Sequence, residues 1–445
     1  IYTPLYTLSL HDALPIYSTY LAMMDTFQSQ FPNLCKIDTI LAETPNHHSI
    51  LVAHISNNLT ERGDKPAFFY TSTMHGDEVT GYYYMLHLIH YLLNNYATNT
   101  QVQNLVNNVD IWICPIENPD GTYHSSNNNL NESPYSTREN YNGEDLNRSY
   151  PLIGSVTSPA LRDYQPEVQA MINFGTAHKL TMSANFHGGS ELYNYPWDLW
   201  TSYEHAPADD AWWSYIGNRF VDTCQHYHGS YMNEGVFEGA DWYVAEGSRQ
   251  DYFTYYLGSR EVTIEISDDK VLSSNQLPTY WNYIYHSLLN YIGESLYGFR
   301  GIITDSITGQ PILATVTVNN HDVDNSQTHS ILPVGNYHRP IKGGTWSVTY
   351  SASGYYPKTY SLTVADHQST VQDVALVPID YSVNDITKGN ISVYPSPADN
   401  VLNISINNMD ISNLTANIYS IDGRLLLTQP LTSENTTLNI SDLAS

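Results

Sequence analysis

The chain is 445 residues long with 41% hydrophobic content, too long for one compact core, so two or three domains are expected. Its formal charge of −28, from 45 acidic and 17 basic residues, would repel phosphate backbones and anionic lipid, which argues against nucleic acid or a membrane surface as partner. It would attract cationic substrates, although an acidic surface commonly serves solubility alone. No run approaches the length of a transmembrane helix, so membrane insertion is not expected. Cys35, Cys114 and Cys224 form no Cys-x-x-Cys pair, which argues against a zinc knuckle or a dense disulfide framework. One disulfide with a free thiol, or three thiols, both remain open.

Residues 1–16 contain no basic region followed by a sustained apolar stretch, so they do not read as a signal peptide. Tyr6 to Ile16 reads instead as translated sequencing adapter, and 1–16 are expected to be foreign to the protein. From Tyr17 to Tyr297 short apolar strands alternate with helical stretches. Ala67–Thr73, Val109–Ile116, Leu180–Phe186 and Arg260–Ile266 read as strands, and Val79–Tyr96 as an amphipathic helix. This alternation predicts an α/β domain with a buried, mixed sheet over 17–297. Beyond Phe299, short β-type runs at Gly301–Gly309, Ala314–Val318, Trp346–Ser351 and Tyr360–Val364 are separated by Gly, Asn, Asp and Pro, and predict a small all-β sandwich over 298–378. A linker at 379–390 leads to a further β module over 391–445, which opens with Ile391–Asn400 and the alternating Leu402–Ile406 and is expected to be incomplete.

The sharpest chemical signal is Met74-His75-Gly76-Asp77-Glu78, between a strand and a long helix. A His and a Glu three residues apart would lie on one side of a helical turn, where an imidazole nitrogen and a carboxylate can meet one ion. Two nitrogens and a carboxylate, with one position left for water, form a typical catalytic zinc set. His187, at the end of a predicted strand, is the best candidate for the third ligand, since α/β proteins place sites at the carboxyl edge of the sheet.

Four segments together resemble the zinc carboxypeptidases of the carboxypeptidase N/E subfamily. They are His75–Glu78; Arg138 with Asp145-Leu-Asn-Arg148 and Pro151; Ser183–Ser190 with Asn194-Tyr-Pro196; and Ala240–Asp251 with Thr263–Ser267. The resemblance implies one zinc ion held by His75, Glu78 and His187, with Glu265 as the catalytic carboxylate and Arg138 polarising the scissile carbonyl. It further implies that Asn147, Arg148 and Tyr243 hold the terminal carboxylate of a peptide or protein substrate. Asp198 and Gln250 align with residues lining the side-chain pocket of basic-specific members, so Arg and Lys are the expected leaving residues. The sequence departs from the family at Arg249, where Met is common, and at Glu246 and Ser248, which replace small residues or Gly.

Residues 298–377 resemble the transthyretin-like domain that follows the catalytic domain in this subfamily. Val393-Tyr-Pro-Ser-Pro397, Leu402–Ser405 and Ile418–Arg424 resemble the C-terminal sorting domain of type IX secretion, implying export to the surface or exterior of a Bacteroidota-type bacterium by that machinery. Two other readings stay in view: a zinc amidohydrolase acting on N-acyl amino acids or cell-wall peptides, and a catalytically silent binding protein.

Overall fold

A computed structural model describes residues 15–127, 136–154, 164–379, 390–407, 409–412, 414–420 and 423–443. Most of the segment read as foreign, 1–14, therefore lies outside the described residues. The chain divides into two units, 1–378 and 379–445.

The first unit is built on an eight-stranded sheet: β1 (Cys35–Leu41), β2 (Ile50–Ile55), β3 (Ala67–Ser72), β4 (Asp110–Cys114), β5 (Met182–His187), β6 (Ser190–Tyr195), β7 (Gly235–Glu238) and β8 (Arg260–Ser267). Their order is β1-β2-β4-β3-β5-β8-β6-β7. The central β4-β3-β5-β8 set is parallel, and antiparallel pairs join it to β2 and β6. Every residue of β3, β4, β5 and β8 is buried, as a parallel sheet covered on both faces requires. That double burial explains why β3 and β4 read as largely apolar runs, while β5 and β8 also bury polar side chains, among them Ser183, Asn185, Glu261 and Thr263.

The helix Thr80–Asn95 contains no Asp, Glu, Lys or Arg and buries eleven of its residues. It begins two residues after Glu78, so the expected helical turn under His75 and Glu78 is absent. A tight turn takes its place, closed by the Glu78 N–H on the His75 carbonyl at 3.1 Å and entered through Thr73 at φ 61°. Gly76 permits it, because a Cβ there would fall 2.3 Å from the Gly121 backbone. The i, i+3 spacing still brings both side chains to one side.

Within the same unit a β-sandwich begins at Gly298. One sheet pairs Thr328–His329, Thr315–Val318, Gly344–Ser351 and Lys358–Val364; the other is built around Gly298–Asp305. Alternating inward residues, among them Val316, Val318, Val348, Tyr350, Leu362 and Val364, fill its core. In the second unit a three-stranded and a two-stranded sheet enclose a small core of Ile404, Ile406, Leu431 and Leu438. Cys35, Cys114 and Cys224 are all buried free thiols. Among the described residues, no helix is long and apolar enough to cross a membrane.

Candidate metal centre and substrate cleft

The parallel strands deliver their carboxyl ends to one edge of the sheet. β5 ends on His187, whose register partner on β8 is Glu265, and β3 leads into the turn that carries His75 and Glu78. The ligand atoms of His75, Glu78 and His187 all lie within 4.8 Å of one another, and the three residues are buried. Nδ1 of His75 is 3.0 Å from Nδ1 of His187, and the Glu78 carboxylate lies 3.1 and 2.9 Å from these two nitrogens. Asp145 approaches the far nitrogen of His75, Nε2, at 3.1 Å. A carboxylate can only accept there, so Nε2 carries the proton and the Nδ1 lone pair faces the centre. Two imidazole nitrogens and a carboxylate converging in a buried corner fit a divalent ion of the zinc type.

The local field agrees with that fit. Burial opposes charge on Glu78, but His75 and His187 together hold its carboxyl well below the usual range. Burial also opposes charge on His75, but Glu78 and Asp145 outweigh it and raise its pKa. His187 is lowered by burial and by His75. Glu265 is raised well above an ordinary carboxyl by burial and by the neighbouring Glu78. Its Oε2 is buried with no hydrogen-bond partner among the described residues, which marks a group left free for something outside the chain.

Arg138 sits at the rim, its Nη1 3.0 Å from His75 and 3.5 Å from Glu78, and its other nitrogens on Asp145 at 3.0 and 2.9 Å. Asp145 thus orients both a ligand and the arginine. Asp145 lies inside the Asp-Leu-Asn-Arg motif, yet sequence reasoning gave it no role. Lys270 also went unnoticed; its ammonium reaches Asp77 at 2.9 Å and Glu78 at 3.3 Å.

Asn147 and Arg148 lie on the short 3-10 turn Leu146–Arg148, capped by the Asp145 side chain. Asn147 Oδ1 accepts the Arg249 N–H at 3.0 Å, and Arg148 is exposed with its guanidinium 5.8 Å from the Tyr243 ring centroid. Tyr243 is itself exposed, at 44%. Asp198 and Gln250 come together below: Gln250 Nε2 donates to Asp198 at 3.0 Å and to Asn194 at 2.9 Å, and Gln250 Oε1 is buried without a partner among the described residues. Burial pushes the Asp198 carboxyl up to about 6, against the pull of Ser248 and Arg148.

Arg249, a departure at the sequence level, does not enter this pocket. It is fully buried between Glu117, at 2.5 Å, and Glu261, at 2.7 Å.

Residues 20–286 match the zinc carboxypeptidase family, and 392–445 match the secretion system C-terminal sorting domain. Mouse carboxypeptidase D (Mus musculus) is 33% identical over 382 residues, covering 81% of this chain and 27% of that protein. Carboxypeptidase SOL1 of Arabidopsis thaliana is 31% identical over 346 residues, 76% of this chain and 67% of that one. The rat carboxypeptidase N catalytic chain (Rattus norvegicus) is 29% identical over 362 residues, 73% and 77% of the two chains. The chain therefore spans about a quarter of the length of carboxypeptidase D. In fold, it resembles the crystal structure of carboxypeptidase A from Helicoverpa armigera, with a TM-score of 0.54 at 18% identity over 63% of this chain and 74% of that one. The C-terminal match makes this a type IX secretion substrate, placed outside the cell or on its surface. Over most of its length, from residue 20 to residue 286, the chain belongs to the zinc carboxypeptidase family.

Proposed function

We propose that this protein removes C-terminal residues from peptides and proteins, with Arg and Lys preferred, using one zinc ion held by His75, Glu78 and His187. The observation that carries the reading is the position of Glu265: a buried carboxylate with a free oxygen, paired in register with His187. Bound zinc would supply a Lewis acid and bring the pKa of a coordinated water to about 7. Glu265, whose carboxyl burial and Glu78 raise in the chain alone, would be held in its ionised form once such a positive charge is bound.

Glu265 takes the proton from the attacking water and passes it to the departing amine. Arg138, fixed by Asp145, stabilises the negative charge that develops on the scissile carbonyl oxygen. The planar guanidinium of Arg148 binds the terminal carboxylate through two parallel hydrogen bonds, with the Asn147 amide beside it and Tyr243 closing over them. An internal peptide bond offers no such carboxylate, so the clamp restricts cleavage to chain ends. Asp198, with Gln250, receives the cationic side chain; a Lys or Arg head group there returns Asp198 to its ionised form.

We assign residues 17–297 to the catalytic domain, 298–378 to a transthyretin-like sandwich, 379–390 to a linker and 391–445 to the sorting module. Peptides ending in Arg, Lys, Phe and Glu, incubated with the protein and analysed for the released residue, test the reading. Arg and Lys should leave fastest. Preference for Phe would remove the basic-pocket assignment. No release from any of the four, with zinc bound, would favour an amidohydrolase or a binding protein.

A further inference from the structure

The sandwich meets the catalytic layer at several points, among them His338 on the Asp64 carbonyl and His367 on Glu294. The contacts made by Arg339 and by the loop His321–Ser326 are of two kinds. The first is a buried ionic knot. Arg339 of the sandwich donates to both oxygens of Asp209 at 3.0 Å and also pairs with Asp322, while Arg260 donates to Asp209 at 3.0 Å and to the Ser326 carbonyl at 3.0 Å. The side chains of Arg339, Asp209, Asp322 and Arg260 are all at most 5% exposed. The second kind lies at the tip of the loop. Asp324 Oδ2 is 2.6 Å from His205 Nε2, and Asn325 Nδ2 donates to the Tyr255 carbonyl at 3.2 Å.

The tip is held in an uncommon backbone shape. Asp324 and Asn325 have consecutive positive φ values of 51° and 60°, a region that Asp and Asn tolerate better than other L-residues. Asp322 accepts the Val318 N–H at 2.7 Å, and Val323 donates its N–H to Ser326 Oγ at 3.1 Å, so the loop is fixed from within. Strain of this kind persists where the surroundings over-determine it.

The three catalytic segments that the loop grips each run into the substrate cleft. His205 and Asp209 end the stretch that begins at Trp197 and Asp198, and Trp197 shares a crevice with Val323–Ser326. Trp200 bridges the two ends, its ring 5.7 Å from Trp197 and 4.8 Å from His205. Tyr255 lies on the helix Arg249–Leu257, whose second residue is Gln250. Arg260 opens β8, which carries Glu265 near its other end. Asp198, Gln250 and Glu265 thus share one brace.

We propose that the sandwich loop His321–Ser326, through Asp324 and Asn325, positions the side-chain pocket of the catalytic layer and so sets how strongly a cationic C-terminal residue is preferred. Asp324 and Asn325 are positioning residues; neither touches substrate. This rests on the proposed carboxypeptidase function.

The test is the double variant D324G/N325G of the full chain, since glycine accepts the left-handed backbone while removing both side-chain contacts. Steady-state kinetics on peptides ending in Arg and in Phe, beside the thermal midpoint, give three readouts. KM for the Arg-ended peptide should rise about tenfold with kcat held within about twofold, and the preference for Arg over Phe should fall by a similar factor. The midpoint should move by only a few degrees, about what exposed contacts contribute. Should the double variant fold poorly, N325G alone, at an exposed position, should show a smaller shift in the same direction. An unchanged preference in a folded variant overturns the proposal while leaving the carboxypeptidase reading intact. No release by the unmodified protein overturns both.

Discussion

Two buried clusters of charge stand in the same catalytic layer and are satisfied in different ways. In one, Arg249 lies between Glu117 and Glu261, all three side chains fully buried. Thr71 accepts from Arg249 at 2.6 Å, Tyr150 donates to Glu117 at 3.1 Å, and Ser183 and Asn185 donate to Glu261 at 2.5 and 3.0 Å. All four carboxylate oxygens of Glu117 and Glu261 therefore have donors from within the chain. In the other, His75, Glu78 and His187 turn acceptors toward a common point, and Glu265 waits beside them with a free oxygen. A buried carboxylate oxygen without a donor, as at Glu265, is costly unless a cation or a donor from outside the chain joins it. A completed charge network marks structure; an incomplete one marks chemistry.

The sharpest way to break this contrast is the variant E265Q. If Glu265 moves the proton, kcat on an Arg-ended peptide should fall about 10²–10⁴-fold while zinc content stays at the unmodified level. Loss of zinc together with activity would instead make Glu265 part of the metal's support.

The closed cluster should fail differently. R249M leaves Glu117 and Glu261 buried without their cation, and urea unfolding should show a loss of about 3–5 kcal/mol. E117M/R249M removes a carboxylate along with the arginine and should recover much of that loss. A single variant that unfolds like the unmodified chain would show that the pairing contributes little.

R148K keeps the positive charge at the cleft but loses the planar fork. KM for a peptide with a free carboxyl end should rise about tenfold, with kcat nearly unchanged. An equal fall in kcat would place Arg148 in the chemical step.

The smallest effect is expected at Glu191, which lies between the two cases. It is buried, accepts one backbone N–H from Met232 at 3.2 Å, and burial pushes its carboxyl up to about 7. A carboxyl raised on folding holds its proton longer in the folded chain, so its contribution to stability is full below the unfolded pKa and declines as pH rises toward 7. E191Q should match the unmodified protein at pH 4 and exceed it modestly in thermal midpoint at pH 8. Equal midpoints at both pH values would remove the assignment.

The convergence of His75, Glu78 and His187 was legible through the four motif segments taken together, since a His and a Glu three residues apart recur often by chance. Even so, the element beneath the pair differs, because Thr73 and Gly76 allow a tighter turn than a helix. β3 and β4 could be read because burial on both faces leaves them largely apolar, β8 because Val262, Ile264 and Ile266 alternate with polar residues, and the sandwich because its inward residues alternate. Asp145 was visible within its motif but without a role, since its two partners, His75 and Arg138, are recognisable only in three dimensions. Arg249 reads on its own as an anomaly in the pocket; its partner Glu117 lies 132 residues away. The link between Arg339 and Asp209 spans 130 residues and leaves no local pattern at all.

The most direct measurement is the return of activity when zinc is titrated into chelator-treated protein, read as release of Arg from an Arg-ended peptide. Release should vanish with the chelator and return in proportion to zinc, levelling off at one ion per chain. Full release from metal-free protein, or recovery that levels off only at two ions, would contradict a single zinc held by His75, Glu78 and His187.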